Sequence, residues 1–141
     1  MNSINKKNEA KYEALSIAKY LFFLDKDRKY FNKNKEVKNE ITSATIVVGN
    51  FRLNQMLYLL QIFYYLKYKK LLFSDNLYAW ENGIIIYKVY THFWGLYQNI
   101  NGKDIKNIED EKTKAFIKKY FDYLKTTSDE VLWEFVYTDP I

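Results

Sequence analysis

His92 is the only histidine in this chain of 141 residues, which has no cysteine. A Ser-His-Asp triad would have to use His92, and a zinc site would have neither a second imidazole nor a thiolate. Val89, Tyr90 and Phe93 place His92 beside an apolar run, which favours a position at the edge of a core over the role of general base. We therefore predict no catalytic residue, no metal ion and no enzymatic activity.

Two clusters of carboxylates, at residues 109–111 and at Asp129 with Glu130, carry oxygen atoms that suit a divalent cation. Both clusters precede segments with helical periodicity, where acidic side chains stabilise the positive end of the helix dipole. Capping therefore explains them. None of the four glycines lies in a GxGxxG or GxxxxGK pattern, and we predict no cofactor.

A basic and aromatic cluster lies at residues 64–70, where lysines 67, 69 and 70 alternate with tyrosines 64, 65 and 68. Single-strand nucleic-acid binders combine the same two residue types, and the chain carries a net charge of +5. Lysines also offset the dipole at a helix C-terminus, so a solvated helix end is the simpler interpretation. Nucleic-acid binding through Lys67–Lys70 stays an alternative function.

The chain is rich in amphipathic aromatic residues, with fourteen Tyr and three Trp. Such residues are enriched at protein interfaces, because the ring is buried there while the polar tip finds a partner. The predicted partner-binding residues lie in the middle of the chain: Gln61, Tyr65, Tyr68, Tyr78, Trp80, Tyr87 and Trp94. We expect some of them to contact another protein.

Hydrophobic spacing predicts a mostly α-helical fold with a small β-hairpin, as a compact single-domain bundle of about five helices. The helices are expected at residues 9–24, 52–68 and 85–97, after residues 109–111 and from Ser128. Residues 41–48 resemble a strand, which a turn at Gly49-Asn50 follows. Residues 25–40 resemble a solvated helix extension or a loop. The hairpin turn lies either at residues 74–76 or at Asn82-Gly83.

We predict a disordered segment at residues 1–8 and one domain at residues 9–141. No apolar run approaches the roughly 20 residues of a membrane-spanning helix, and the first residues lack the apolar stretch of a signal peptide. The absence of cysteine suits a reducing compartment. The expected location is the cytoplasm, without membrane contact.

The block from Arg52 to Tyr97 resembles the core motif of the Panacea-domain family, the SocA-like antitoxins and phage-associated proteins of bacteria. That motif places a K-L-x-K-L-L-Y-Y-x-Q helix before L-F-x-D, A-W-x-x-G-P-V and a helix beginning x-x-V-Y-x-x-F. The matching positions are Leu53, Leu57, Tyr58, Gln61, Leu72, Phe73, Asp75, Ala79, Trp80, Gly83, Val89, Tyr90 and Phe93. The chain departs from the motif at Arg52, where the family has Lys, and at Ile84, where it has Pro.

The resemblance implies a helical interaction module that neutralises a partner toxin, by binding it or by presenting it to a protease. The partner would be a toxin-like protein, such as one encoded by an adjacent gene. A diverged interaction protein without a toxin partner is the other function that the resemblance allows. In either case the matched residues serve mainly structure: Trp80 and Gly83 would pack the hairpin onto the central helix, and Gln61 would bind a buried backbone group.

Overall fold

The computed structural model describes residues 10–27, 29–31, 36–38, 45–80, 83–93 and 108–126. In this part of the chain, the elements are α1 (Ala14–Leu24), β1 (Glu36–Lys38), β2 (Thr45–Val47), α2 (Val48–Tyr68), β3 (Tyr78–Trp80), β4 (Gly83–Ile85), α3 (Tyr87–His92) and α4 (Glu111–Leu124). The mostly α fold with a small hairpin is confirmed. About five helices were expected, and four of them lie among the described residues. The helix predicted from Ser128 lies outside the described residues.

Helix α2 is the central element, because it packs against α1, α3, α4 and β4. It begins at Val48, four residues before the predicted start. The turn predicted at Gly49-Asn50 is therefore wrong, since both residues lie in the first turn of the helix. Tertiary hydrogen bonds from Asn50 outweigh the turn preference of this dipeptide. The strand predicted before it is confirmed only as β2, which pairs with β1.

Helix α1 begins at Ala14, not at residue 9, because the chain before it is extended. Tyr12 forms a parallel bridge with Phe73, and Glu13 has β-region dihedral angles. After the helix, the buried carboxylate of Asp25 accepts backbone hydrogen bonds from residues 29–31 at 2.8 to 3.0 Å. Phe31 is fully buried, so residues 25–40 are not simply a solvated extension or loop.

The hairpin is built from β3 and β4, with Tyr78 opposite Ile85 and Trp80 opposite Gly83. The hairpin predicted around Asn82-Gly83 is confirmed, although Gly83 itself lies in β4 opposite Trp80. The hairpin turn predicted at residues 74–76 is wrong. Residues 72 and 73 pair with other parts of the chain, through the bridge to Tyr12 and through hydrogen bonds to α2.

Helix α3 follows the hairpin and ends at His92, so the predicted helix 85–97 is confirmed only in its middle. Trp94 and the rest of that prediction lie outside the described residues. Helix α4 begins after Asp110, whose carboxylate accepts a hydrogen bond from the Lys112 N–H at 3.0 Å. Acidic capping at residues 109–111 is thereby confirmed, whereas Asp129 and Glu130 lie outside the described part.

All four helices contribute to one hydrophobic core. Its largest fully buried side chains are Phe22, Phe31, Phe73, Phe93, Ile17, Leu21, Leu53, Met56, Leu57, Leu59, Leu60 and Leu72. Two rings from distant segments, Phe22 and Phe93, stack with centroids 5.0 Å apart at its centre. Within the described ranges, no helix is both long enough and apolar enough to pass through a lipid bilayer.

Candidate functional site

Gln61 joins α2 to the segment that precedes the hairpin. Its amide nitrogen donates to the Phe73 carbonyl at 2.7 Å, and its amide oxygen accepts from the N–H groups of Leu72 at 2.8 Å and Phe73 at 3.3 Å. The side chain is buried. Because both polar atoms of its side chain are hydrogen-bonded to backbone groups, Gln61 has the structural role that the motif suggests. We therefore remove Gln61 from the partner-binding candidates.

Asp75 connects the same segment to α1. Its carboxylate accepts a hydrogen bond at 2.8 Å from the N–H of Ala14, the first residue of the helix. The N-cap residue Glu13 makes no side-chain capping bond of its own. Asp75 therefore supplies the cap from 61 positions away along the chain, and it satisfies one of the unpaired donors at the helix N-terminus.

Replacing Asp75 with alanine is expected to lower the free energy of unfolding by about 1–2 kcal/mol, the usual cost of losing a helix cap. Asp75→Asn keeps an acceptor oxygen and is expected to cost less than half as much. Urea unfolding of the two variants measures the difference. Equal losses would show that the carboxylate charge, and not the hydrogen bond to Ala14, provides the stabilisation.

Asn50 and Asn54 form a second polar connection, which the sequence analysis did not identify. The Asn54 oxygen accepts from the N–H of Ile86 at 2.8 Å, and its nitrogen donates to the Asn50 carbonyl at 2.9 Å. The Asn50 amide donates to the Tyr90 carbonyl at 2.9 Å. Both side chains are buried, so the pair fixes α3 against the start of α2.

The remaining motif residues are mostly structural. Leu53, Leu57, Phe73 and Phe93 are fully buried, Tyr58 and Tyr90 are half-buried, and Ala79 is exposed in β3. The Tyr90 ring lies 5.5 Å from that of Phe51. Gly83 pairs with Trp80 at the end of the hairpin, and the surroundings of the Trp80 side chain lie outside the described part.

Three of the predicted partner-binding residues are exposed: Tyr65 by 46%, Tyr78 by 47% and Tyr87 by 60%. Tyr68 is half-buried and packs against Tyr64, with ring centroids 4.7 Å apart. Trp80 and Trp94 cannot be assigned to this surface, because their side chains lie outside the described residues. The structure adds two exposed leucines, Leu66 and Leu77, each next to a predicted tyrosine in sequence.

A pocket of about 440 Å³ lies between α2 and the start of the hairpin. Leu77 and Tyr78 form one side of it, and Gln61 contributes from α2. Tyr65 follows Gln61 by one helical turn and so lies on the same side of α2. We call the exposed side chains Tyr65, Leu77 and Tyr78 the hairpin surface.

The C-terminal end of α2 carries an aromatic cluster against α4. The ring centroids of Tyr64 and Phe116 lie 5.2 Å apart, and those of Phe116 and Tyr120 lie 4.7 Å apart. Burial raises the pKa of the Tyr64 phenol above its usual value. The exposed lysines of the Lys67–Lys70 segment therefore lie at a solvated helix end, beside packed aromatic residues.

His92 ends α3, half-buried, with its ring 4.7 Å from that of Phe93. This is the edge position that the sequence predicts. Across the described ranges, no three His, Asp or Glu side chains come together as a metal site. A hydrogen bond from the Thr113 hydroxyl and another from the Lys112 N–H hold the pKa of Asp110 below its usual value, consistent with its role as a cap.

No protein-family model, curated protein or solved structure matches the chain.

Proposed function

We propose that the protein is an interaction module of the SocA-like antitoxin type, which binds a partner protein through the hairpin surface and neutralises it. The observation that carries the proposal is the exposure of large apolar side chains on adjoining parts of α2 and the hairpin. Tyr65 is 46% exposed and Tyr78 is 47% exposed. The motif resemblance suggests a toxin-like partner, such as one encoded by an adjacent gene.

The apolar character of the hairpin surface supports this proposal. Exposed apolar side chains that adjoin a pocket are typical of interaction sites, and tyrosine is among the residues that contribute most to binding. The pocket beside Leu77 and Tyr78 gives a partner side chain a place to insert. Binding would cost little reorganisation, because Gln61 and Asp75 hold the segment between α2 and the hairpin by hydrogen bonds.

The roles of the motif residues support the resemblance itself. Gln61 bonds to the segment before the hairpin, and Asp75 bonds to the N–H of Ala14, the first residue of α1. These bonds depend on the residue types that the motif specifies at those positions.

Tagged native protein is expected to retain one partner protein from extracts of its own cells at moderate salt. Tyr78→Asp is then expected to weaken binding of that purified partner about thirtyfold or more, because losing a central tyrosine typically costs about 2 kcal/mol or more. Titration calorimetry measures both affinities. Circular dichroism checks that the fold is retained.

Tyr123→Asp is the matched control, because Tyr123 is 64% exposed and lies on α4, away from the hairpin. It makes the same chemical change on a different surface and is expected to bind the partner like the native chain. If Tyr78→Asp binds as tightly as the control, the hairpin surface is not the binding site.

A further inference from the structure

A second pocket, of about 300 Å³, lies between the C-terminal end of α2 and the first half of α4. Its lining residues are Lys67, Tyr68, Lys112, Ala115, Phe116 and Lys119. We call it the lysine pocket. Three lysines surround an apolar floor, and no carboxylate is among these lining residues. The volume lies at the lower end of the range for small-molecule sites.

The lysines of this pocket differ from other lysines of α4, which form ion pairs. Lys114 pairs with Glu111 at 2.8 Å and Lys118 pairs with Asp122 at 2.8 Å. Within the described part of the chain, no ion pair involves Lys67, Lys112 or Lys119. Their positive charge is therefore available to an anionic ligand.

Each of these three ammonium groups lies near an aromatic ring. The Lys112 nitrogen lies 4.8 Å from the centroid of the Tyr68 ring, and the Lys67 nitrogen lies 5.4 Å from the same centroid. The Lys119 nitrogen lies 5.5 Å from the Tyr120 ring. Cation–π contacts of this kind restrict the conformations of the lysine side chains. Ligand binding therefore costs less conformational entropy than it would with freely moving lysines.

The lysines also repeat along α4 at a spacing that suits a polymer. Lys112 and Lys119 are seven residues apart, which places them on one face of the helix about 10 Å apart along its axis. Lys70 extends the charge at the other end, where it lines an adjoining pocket with Tyr64, Tyr68 and Lys112. The Asp110 carboxylate in that pocket accepts hydrogen bonds from the Lys112 N–H and the Thr113 hydroxyl.

We infer that the lysine pocket binds single-stranded nucleic acid without sequence specificity, with phosphates at the lysines and a base against Tyr68. A basic groove with aromatic side chains is the usual architecture for this ligand. An acidic peptide would use the charges but has no need of the apolar floor. Base-specific reading in a duplex groove usually relies on arginine or amide side chains, and the pocket has none. This site is separate from the hairpin surface, so either proposal can fail alone.

Fluorescence anisotropy with a labelled single-stranded RNA of mixed sequence, about 12 nucleotides long, tests the inference. Three or four phosphate contacts predict an affinity that falls about thirtyfold between about 50 and about 200 mM salt. The double variant Lys112→Gln/Lys119→Gln is expected to weaken binding about tenfold or more and to reduce the salt dependence by about 1.4 in logarithmic slope. Tyr68→Leu is expected to weaken binding without changing that slope.

The control is Lys26→Gln/Lys88→Gln, which lowers the net charge equally at exposed lysines on α3 and after α1. Equal losses from both double variants would show that general charge, and not the pocket, attracts the RNA. Equal competition by a poly-glutamate peptide would assign the pocket to an acidic protein, and equal competition by a free mononucleotide would assign it to a small molecule. Any of these outcomes, or no binding at low salt, overturns the inference.

Discussion

Replacing Gln61 with leucine is expected to lower the free energy of unfolding by about 3 kcal/mol and the melting temperature by about 10 °C. The Leu72 N–H and the Phe73 carbonyl lose the partners that they have at 2.8 and 2.7 Å. Each buried polar group left without a partner costs about 1–3 kcal/mol. Burial of the leucine side chain offsets only part of this loss. Thermal and urea unfolding measure the change.

Gln55→Leu is the matched control, because Gln55 is also buried in α2 but makes no side-chain hydrogen bond within the described residues. The same substitution there removes no bond and is expected to change stability by less than about 1 kcal/mol. If the two variants lose the same stability, the cost comes from placing leucine in this helix, and the connection through Gln61 contributes nothing measurable.

Asn54→Ala is expected to cost about 2–3 kcal/mol, because it leaves the buried N–H of Ile86 without its acceptor at 2.8 Å. Ile86 is the N-cap residue of α3, so the loss weakens the docking of that helix as well. Hydrogen exchange should show the change locally. The Ile86 amide is expected to lose protection more than the Tyr90 amide, which bonds within the helix to the Ile86 carbonyl.

The pair of asparagines gives an internal check on this prediction. Asn50→Ala removes the bond to the Tyr90 carbonyl and one acceptor of the Asn54 amide. Because the two side chains form one network, the double variant is expected to lose less stability than the sum of the single variants. Strict additivity would show that Asn50 and Asn54 act independently.

The elements that follow from hydrophobic spacing were predictable. The apolar positions of α2 identify the central helix, and Asn82-Gly83 between two apolar runs identifies a hairpin. The start of α1 was not predictable from local sequence, because residues 10–13 are extended. Their conformation depends on the bridge from Tyr12 to Phe73, and no local pattern reveals a pairing between residues so far apart.

The polar residues of α2 were harder to interpret. Asn50, Asn54 and Gln61 are spaced by four and seven, which places them on one face of the helix, and such spacing within an apolar helix is a usable signal. It indicates buried amides that need partners. It does not identify those partners, since Ile86 and Phe73 reach α2 only through the tertiary fold.

The candidate surfaces were predicted in part. Aromatic composition identified Tyr65, Tyr78 and Tyr87, which are exposed, but also Tyr68, which packs against Tyr64 and Phe116. Composition alone cannot separate the two cases, because tyrosine suits both a core edge and an interface. Lys112 and Lys119 were missed as neighbours of Lys67, since only the packing of α4 on α2 brings them together.

Growth rescue is the most direct test of the proposed antitoxin function. Each gene adjacent to this one is expressed in a bacterial host, alone and together with the native chain, Tyr78→Asp or Tyr123→Asp. The account predicts that one neighbour stops growth, that the native chain and Tyr123→Asp restore it, and that Tyr78→Asp does not. Rescue by Tyr78→Asp at equal expression, or no neighbour whose toxicity the native chain relieves, would contradict it.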